Sequence, residues 1–419
     1  MTSPATQPRT PGAEAPLRVL FCNWRDTRNP EGGGSEVYVE SVATALAASG
    51  HEVTILCAAH DNGAADETVD GVRFLRHGSK LGVYPQAFLR QLLHRVGPFD
   101  VVVDVQNGIP FLSTWTGRTP VVVLVHHVHR EQWPVVYGPL RSRIGWWIES
   151  RLAPRAYRGS PYVAVSEATR HELVELGVRA DDVTVVHNGC ERPVLDPDPA
   201  DHPRILVLGR LVPHKRVEHV LAAAAALRED HPTVRVAVVG DGWWSASLAE
   251  EAERLGVTDL VEFTGFVDEE AKHRELSRAW VLALPSLKEG WGLVVMEAAG
   301  YAVPTVGYAA AGGVAESVVD GVTGILVDDE AGFTAALRRL LDDPELRRRM
   351  GMAAEARTWE FGWDTAARSF ARVLARAAGR PELETALEAV PEIEPAHIHH
   401  DPVDPPAATD PGTTMAATP

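Results

Sequence analysis

Two carboxylates, Glu289 and Glu297, lie eight positions apart in a stretch that runs from a buried strand through a polar loop into a helix. At about 1.5 Å per helical residue, this spacing separates them by roughly 12 Å along a helix axis. That distance is close to the span between the ribose and the hexose ring of a sugar nucleotide. Gly290 and Gly292 allow a ligand to approach the backbone there, where helix N-terminal N–H groups attract phosphate. The alternative is a solvated surface glutamate beside an ordinary strand-to-helix turn.

Four further polar or glycine-rich turns follow predicted strands in the second half of the chain. Gly209 and Arg210 come directly after a strand, and Lys215 lies just before the next helix. A helix N-terminus already favours anions there, although a pair of solvated surface cations is the alternative. The other turns contain Gly240, the segment Gly265-Phe266-Val267, and Gly312-Gly313 with Glu316. Since ligands of open α/β sheets gather at strand ends, we expect these turns to line one cleft.

A glycine-rich segment opens the first helix of the chain. Gly32, Gly33 and Gly34 lie about eight residues beyond the first predicted strand, whereas the dinucleotide fingerprint needs a tight turn. The second predicted strand also ends without an acidic residue that could hold a ribose. The segment therefore fits the close approach of a large anionic ligand better than a dehydrogenase site, although glycines at helix starts are often only structural.

Three histidines follow the continuous apolar strand predicted at residues 121–125, namely His126, His127 and His129. A strand of this kind is buried in a parallel sheet, and its carboxyl end delivers them to the edge where ligands bind.

Apolar runs alternate with amphipathic segments along most of the chain, which predicts two doubly wound α/β units with parallel sheets. Predicted strands of the first unit are 17–24, 53–58, 72–76, 101–105, 121–125, 162–165 and 183–186. Those of the second are 205–208, 234–239, 260–264, 280–284, 304–306 and 325–327. A Pro-rich segment at 196–203 marks the boundary, so we expect domains at 17–195 and 203–360, then a last helix at 361–380.

Composition narrows the class of protein. The chain has 419 residues, 45% of them apolar, which is enough for two cores, and its net charge of −17 argues against nucleic acid as a partner. Cys22, Cys57 and Cys190 are widely spaced and predict free thiols of a reducing compartment. No apolar run has the length of a leader or a spanning helix, so we expect a cytoplasmic location. Residues 1–16 and 381–419 are Pro-rich and aperiodic, the second segment also acidic, and we predict both to be disordered.

Taken in order, these motifs resemble those of the retaining glycosyltransferases of family 4. The resemblance covers about residues 17 to 378, and its most specific parts are the turn at Gly265 and the pair Glu289 and Glu297. It implies the GT-B fold, in which two Rossmann-like domains face each other across a cleft. In that fold the last helix, 361–380, crosses back to the N-terminal domain.

The same resemblance implies roles for individual residues. Arg210 and Lys215 match the positions that hold the donor diphosphate, Glu297 the acid that binds the ribose, and Glu289 the acid that contacts the donor sugar. Phe266 and Val267 match the segment at the edge of the base. His126 matches the strand-end histidine near the reacting sugar, with His127 as the alternative. The backbone around the donor is predicted at Gly33, Gly34, Gly209, Gly240, Gly290, Trp291, Gly292 and Leu293.

Breaking a sugar–phosphate bond develops negative charge on the leaving diphosphate, so fixed cations there lower the barrier. The resemblance implies no metal, no cofactor beyond the sugar nucleotide, and retention by front-face attack, in which the leaving phosphate takes the acceptor proton. We expect a hexosyl group to pass from a UDP- or GDP-linked donor to a glycan, lipid-linked or small-molecule acceptor. The alternatives are a nucleotide-sugar epimerase of the same fold and a non-catalytic sugar-nucleotide sensor.

A helix predicted at about 139–156 combines Trp146 and Trp147 with a set of basic residues. The arginines in and beside it are Arg141, Arg143, Arg151, Arg155 and Arg158. Such a helix can lie weakly on an anionic membrane, where a lipid-linked acceptor would be reached. The alternative is that the tryptophans face the domain core and the arginines are merely solvated.

Overall fold

The computed structural model describes residues 16–190 and 193–383. Eight strands of the first half form one sheet: β1 (Arg18–Cys22), β2 (Glu52–Cys57), β3 (Asp66–Val69), β4 (Val72–Arg76), β5 (Val101–Gln106), β6 (Val121–Val125), β7 (Tyr162–Ala164) and β8 (Val183–Val185). Their order across the sheet is β3-β4-β2-β1-β5-β6-β7-β8. The pairs are parallel apart from β3 with β4.

Six strands of the second half form a separate, wholly parallel sheet. They are β9 (Arg204–Leu208), β10 (Arg235–Val239), β11 (Val261–Gly265), β12 (Val281–Leu284), β13 (Thr305–Tyr308) and β14 (Gly324–Val327). Their order is β11-β10-β9-β12-β13-β14. The two doubly wound parallel units predicted from the alternation are therefore confirmed.

Helices connect most of the strands. In the first half they are α1 (Gly34–Ala48), α2 (Val83–Leu92), α3 (Gln132–Val136), α4 (Pro139–Trp147), α5 (Ala153–Ala156) and α6 (Glu167–Glu175). In the second half they are α7 (Glu218–Leu227), α8 (Ser245–Leu255), α9 (Glu269–Arg278), α10 (Leu293–Gly300), α11 (Val314–Ser317), α12 (Glu330–Asp342), α13 (Pro344–Thr358) and α14 (Trp363–Ala377). No helix in the described ranges is long and apolar enough to cross a bilayer.

The central strands form because continuous apolar runs are covered on both faces; in β6, for example, every residue is buried. β3 departs from this rule and from our prediction. Its sequence, Asp-Glu-Thr-Val, alternates between exposed and half-buried positions at the edge of the sheet. Antiparallel pairing with β4 holds it there, so its strand character comes from a neighbour and not from an apolar run.

The helix predicted at about 139–156 is confirmed in its bounds, but its middle is not regular α-helix. Between α4 and α5 the chain widens into a π-helical turn, Ile148–Leu152. Pro154 accounts for the wider turn, since it has no N–H for the carbonyl of Ser150 and its ring crowds that carbonyl in a regular α-helix. The wider turn brings Glu149 into the interior, where it is almost fully buried.

The last helix, α14, packs against α1 and β6 of the first domain. Its buried face recurs at helical spacing, with Trp363, Ala367, Phe370 and Leu374 all covered. Phe370 stacks on Phe21 of β1 at a centroid distance of 6.0 Å. A helix from the end of the chain thus completes the core of the first domain and ties the two domains together.

The boundary segment and the termini are described in part. Asp198 and Ala200 donate backbone hydrogen bonds to the carbonyls of Ser277 and Arg278, so the linker lies against the end of α9. Leu383, within the segment predicted to be disordered, is only 3% exposed and belongs to the main core. The rest of that prediction, 384–419, and nearly all of the N-terminal arm, 1–15, lie outside the described residues.

Candidate active site

Each sheet has one point from which the strand order runs outward in both directions. The predicted residues Arg210, Lys215 and Glu289 follow the two strands that flank this point in the C-terminal sheet. In the C-terminal sheet this point lies between β9 and β12. Neighbouring parallel strands whose connections lead to opposite sides leave a crevice at their carboxyl ends. Residues 209–215 follow β9 and Glu289 follows β12. The open crevice between them is lined by Arg210, Lys215 and Ser286, among others.

Lys215 and Glu289 form an ion pair at this crevice. Nζ of Lys215 lies 2.5 Å from Oε1 of Glu289, and both side chains are largely buried. Burial would raise the pKa of Glu289, but Lys215, Ser286 and His214 together hold it below its ordinary value. Burial, assisted by the Lys215 charge, lowers the pKa of His214 to about 4. At neutral pH the crevice therefore presents an ionised Glu289 beside a neutral His214.

The turns after β9, β10 and β11 lie side by side, and each contains a glycine with positive φ: Gly209, Gly240 and Gly265. Gly240 has a φ of 124°, and a Cβ there would lie 2.1 Å from the carbonyl oxygen of Gly209. Gly240 also donates its N–H to the carbonyl of Gly265 at 2.9 Å. Phe266, beyond the outermost turn, is 45% exposed, and Val267 packs partly against the core. The predicted base-edge segment thus lies beside the turn at Gly240, which in turn packs on Gly209, the residue before Arg210.

The loop from Glu289 to α10 is pressed against the first domain. A Cβ on Gly290 would lie 2.3 Å from the carbonyl oxygen of His126, so only glycine permits this approach. Gly292 adopts a left-handed conformation as the residue that caps α10. Trp291, in contrast, turns its ring into the interior, where it packs on His187 and Phe361. The predicted contact of Trp291 with the donor can therefore involve only its backbone.

Glu297 lies in the first turns of α10 and already has a cationic partner. Its Oε1 accepts from Nζ of Lys272 at 3.0 Å, and Lys272 also lies 2.5 Å from Oε2 of Glu269. Because α10 begins only at Leu293, half of the eight-residue spacing from Glu289 is loop. The 12 Å estimate assumed helical rise throughout, and that assumption does not hold for the first half of the spacing.

The glycine-rich segment meets the second domain directly. A Cβ on Gly33 would lie 3.2 Å from Nε of Arg210, and one on Gly34 would lie 2.8 Å from Cδ1 of Leu293. Arg210 also donates to the carbonyl of Glu31 at 3.3 Å. Small residues here let the two halves of the cleft close on each other. Six of the predicted positions are thus brought together in pairs: Gly33 with Arg210, Gly34 with Leu293, and Lys215 with Glu289.

His126 and His127 occupy different environments. Burial lowers the pKa of His126 to about 3, with His129 adding to the effect, so its imidazole is neutral. Its Nε2 is buried and makes no hydrogen bond within the described part of the chain. His127 Nε2, in contrast, is paired with Oε1 of Gln132 at 3.0 Å. The ring of His129 meets the buried carboxylate of Glu149 at 2.9 Å.

Arg25 is a buried cation behind the glycine-rich segment that the sequence analysis missed. Its Nε lies 3.1 Å from Oε2 of Glu36, which in turn accepts from the N–H of Gly33 at 2.8 Å. Burial lowers the pKa of Arg25 to about 10, and the nearby Arg210 contributes in the same direction. Its place directly after the first predicted strand was the available signal. Arg25 and Glu36 together fix the loop that faces Arg210.

Two family models cover most of the chain. Residues 32–192 match the model described as Glycosyltransferase Family 4, and residues 196–357 match the one described as Glycosyl transferases group 1. The chain is also 31% identical, over 413 residues, to a D-inositol 3-phosphate glycosyltransferase of Streptomyces avermitilis, covering 87% of this chain and 88% of that protein. The chain belongs to glycosyltransferase family 4. The predicted class of enzyme, a glycosyltransferase, is confirmed.

Other known proteins match most of this family 4 chain. A glycogen synthase of Mycobacterium tuberculosis is 27% identical over 392 residues, which covers 85% of this chain and 94% of that protein. Among solved structures, sucrose-phosphate synthase from Thermosynechococcus elongatus superposes with a TM-score of 0.72 at 20% identity, covering 86% of this chain and 98% of that one. The likeness confirms the GT-B fold, with two Rossmann-like domains facing across a cleft.

Two further findings concern the residues beyond the crevice between β9 and β12. No group of three or more histidine, cysteine or acidic side chains in the described ranges is arranged to hold a metal ion. Glu316, singled out in the sequence together with Gly312 and Gly313, points to the first domain, where its carboxylate meets the start of α6.

Proposed function

We propose that this enzyme transfers a hexosyl group from a UDP- or GDP-linked donor to a hydroxyl acceptor, with retention and without a metal ion. The observation that carries the proposal is the pair Lys215 and Glu289, which lies with Arg210 at the switch point of the C-terminal sheet. This crevice faces the strand end of His126 across the cleft, through the contact of that residue with Gly290. Donor and acceptor sides of one reaction centre would thus meet there.

The charges of the crevice suit the leaving diphosphate. Arg210 and Lys215 would neutralise the negative charge that grows on it, together with the N–H groups at the start of α10. Glu297 would hold the ribose, and Glu289 would contact the donor sugar. Phe266 and Val267, beside the turn at Gly240, would border the base, as the resemblance implies. With two cations to meet the diphosphate oxygens, this proposal requires no metal ion.

The proposed step breaks the bond between the anomeric carbon and the phosphate oxygen and forms one to the acceptor oxygen on the same face. The acceptor proton passes to the departing phosphate oxygen, so no separate protein base is required. A neutral His126 fits this scheme, since it can hydrogen-bond a hydroxyl without delivering a proton. An unpaired buried polar atom is costly, so a substrate hydroxyl is the natural partner of its Nε2. This favours His126 over His127.

For the acceptor, we propose a chemical class and not a single compound. Relatives include a glycogen synthase and D-inositol 3-phosphate glycosyltransferases, whose names point to a polysaccharide and to a phosphorylated cyclitol. Both are polyhydroxylated, which agrees with an acceptor that offers several hydroxyls to the cleft. We place the reaction in the cytoplasm, in keeping with the free thiols of Cys22 and Cys57.

Donor binding and stereochemistry can be tested in sequence. A panel of UDP- and GDP-hexoses should contain one that raises the melting temperature, since a ligand at 100 times its Kd stabilises by about 2.7 kcal/mol. With that donor and a panel of glycan, cyclitol phosphate and lipid-linked acceptors, NMR should show a product with the donor's anomeric configuration. Transfer should continue in EDTA. An inverted product, or activity abolished by EDTA and restored by Mg²⁺ or Mn²⁺, would contradict the proposal.

A weak membrane contact is a separate part of the proposal. The segment over α3 and α4 exposes apolar side chains, with Trp147 56% and Leu140 72% exposed, while Trp146 packs partly against the core. Arg141 and Arg143 are exposed on the same helix. A basic, apolar surface on a chain of net charge −17 is complementary to anionic lipid.

We therefore expect the protein to sediment at low salt with vesicles that contain phosphatidylglycerol, and not with pure phosphatidylcholine. Replacing Arg141 and Arg143 by glutamate should weaken this binding at least tenfold, at about 1 kcal/mol per basic residue near the surface. Trp147→Ser should weaken it as well. Trp243→Ser is the matched control, since Trp243 is similarly exposed but lies in the second domain. Equal binding to both lipids, or none to either, would remove the idea.

A further inference from the structure

Glu316 belongs to the second domain, yet both oxygens of its carboxylate bind the first. Its Oε2 accepts the N–H of Glu167 at 2.9 Å, and its Oε1 accepts the N–H of Ala168 at 2.7 Å. These are the first two N–H groups of α6, which have no partner within the helix. A carboxylate is also favoured there by the helix dipole. The carboxylate thus caps a helix of the opposite domain.

The cap is complementary to the one that α6 supplies itself. Ser166 Oγ accepts the N–H of Thr169, which leaves the two preceding N–H groups to Glu316. Burial would raise the pKa of Glu316, but His187, at 3.5 Å, and the two N–H groups hold it below its ordinary value. At neutral pH the group that spans the domains is therefore a carboxylate, which accepts two hydrogen bonds at once.

The same turn of α6 holds the acceptor side of the cleft. Thr169 Oγ1 donates to the carbonyl of His126 at 3.1 Å, and that carbonyl is the atom against which Gly290 packs. One helical turn further on, Glu172 pairs with Lys288, the residue before Glu289. Helix α6 is therefore attached to the second domain at two points, and both lie next to residues of the candidate active site.

The short helix α11, which carries Glu316, is joined to the crevice as well. Gly313, three residues before Glu316, donates its N–H to the carbonyl of Glu289 at 3.1 Å, and Glu289 donates to the carbonyl of Ala311 at 3.0 Å. A Cβ on Gly313 would lie 2.0 Å from the carbonyl oxygen of Gly290. Movement of Glu316 relative to α6 would thus move Glu289 and Gly290 relative to His126.

We propose that Glu316 is a positioning residue, whose carboxylate docks the second domain on α6 and so sets His126 against the Glu289 loop in the closed enzyme. The expected effect of Glu316 on the reaction rate rests on the proposed function, whereas its effect on how the two domains dock does not. This role also gives the Gly312-Gly313 and Glu316 motif a purpose that donor binding does not supply.

A double-mutant cycle can isolate this contact because one partner is a backbone N–H. Glu167→Pro removes that N–H, and proline is well tolerated at the first position of a helix. Ser166, which would precede the proline, already has the extended backbone that this requires. Glu167→Ala is the reference, because it deletes the same side chain, whose partner Arg170 is largely exposed, and keeps the N–H. Glu316→Ala removes the carboxylate, and Glu316→Gln keeps its shape.

We expect Glu316→Ala to lower kcat about tenfold or more, as for the loss of hydrogen bonds to a charged group. Glu167→Pro should lower kcat relative to Glu167→Ala, and the double variant should be no slower than Glu316→Ala alone. The Kd of the nucleoside diphosphate should stay within about threefold, since its proposed contacts, apart from the backbone of Gly33 and Gly34, lie in the second domain. Independent, multiplicative effects of the two changes, or a Glu316→Gln variant with parent kinetics, would overturn the role.

Small-angle X-ray scattering of the ligand-free chain separates this proposal from the proposed function. Glu316→Ala should have a larger radius of gyration than the parent, whether or not any sugar nucleotide is turned over. If the variant opens but no donor supports transfer, the docking role stands and the proposed function fails. If the parent transfers sugar and the variant neither opens nor slows, the docking role fails and the proposed function stands.

Discussion

Replacing Lys215 by alanine should slow glycosyl transfer by about 10²- to 10³-fold, the scale of removing one preorganised charge stabiliser. Its Nζ is held 2.5 Å from Glu289 at the switch point of the second sheet, so the charge is in place before the donor arrives. Negative charge on the diphosphate grows as the sugar–phosphate bond breaks, and the cation therefore stabilises the transition state more than the ground state. Steady-state kinetics beside isothermal titration with the nucleoside diphosphate should show kcat falling more than affinity.

The same variant should also shift the pH dependence. Burial raises the pKa of Glu289, and Lys215 is the strongest of the groups that oppose this. Without Lys215 the pKa of Glu289 should rise, so kcat should begin to fall at a higher pH on acidification than in the parent. Arg254→Ala is the control, because Arg254 is an exposed cation of the same domain that pairs with Glu251. A Lys215→Ala enzyme with parental kcat would show that the lysine serves only to neutralise Glu289.

The sequence predicts those elements whose signal is local. Strand β6 is a continuous apolar run between turns. Ser166 predicts the start of α6, because its hydroxyl caps the helix as expected. β3 has no such signal, since its polar residues become a strand only through pairing with β4. The irregularity between α4 and α5 follows from Pro154, yet a π-helical turn, instead of an end to the helix, depends on how the surroundings pack.

The site was predicted as separate residues and not as pairs. Lys215 and Glu289 were both chosen for their position after a strand, but their ion pair exists only because β9 and β12 are neighbours. Strand–helix alternation does not specify that order. Lys272, the partner of Glu297, lies in an ordinary amphipathic helix and gives no signal at all in the sequence. Contacts between the domains, such as that of Glu316 with α6, are the least visible of all, because they join segments about 150 residues apart.

The structure also gives the glycines a purpose that their sequence pattern left open. Gly33, Gly34 and Gly290 were expected to admit a ligand to the backbone, but in this closed arrangement each one faces the opposite domain. Gly34 meets Leu293, and Gly290 meets the carbonyl of His126. Positions that allow two backbones to meet also bring the backbone close to whatever lies between the domains. The absence of a side chain at these residues therefore serves both the close approach of a ligand and the closure of the cleft.

Glu297→Ala should mainly weaken donor binding. The proposed contacts to the ribose hydroxyls do not change during the reaction, so their loss removes uniform binding and raises the donor KM. Two hydrogen bonds to a charged acceptor contribute roughly 1.5 to 3 kcal/mol each, so Kd should rise more than tenfold. Glu269→Gln is the matched control, since Glu269 is the other carboxylate beside Lys272. If that control weakens binding equally, the effect comes from Lys272 and not from a ribose contact.

Glu289→Gln should instead lower kcat, by about 10²-fold, more than it weakens donor binding. The donor sugar flattens and gains positive charge as the diphosphate leaves, so a fixed carboxylate beside it fits the transition state better than the ground state. The pKa of Glu289 is held below its ordinary value by Lys215, so the charge that glutamine removes is present throughout the neutral range. Isothermal titration should give a Kd for the nucleoside diphosphate close to that of the parent, while turnover falls. If Glu289→Gln and Glu297→Ala both bind and turn over the donor like the parent, neither carboxylate touches the substrate, and the stretch between them is only structural.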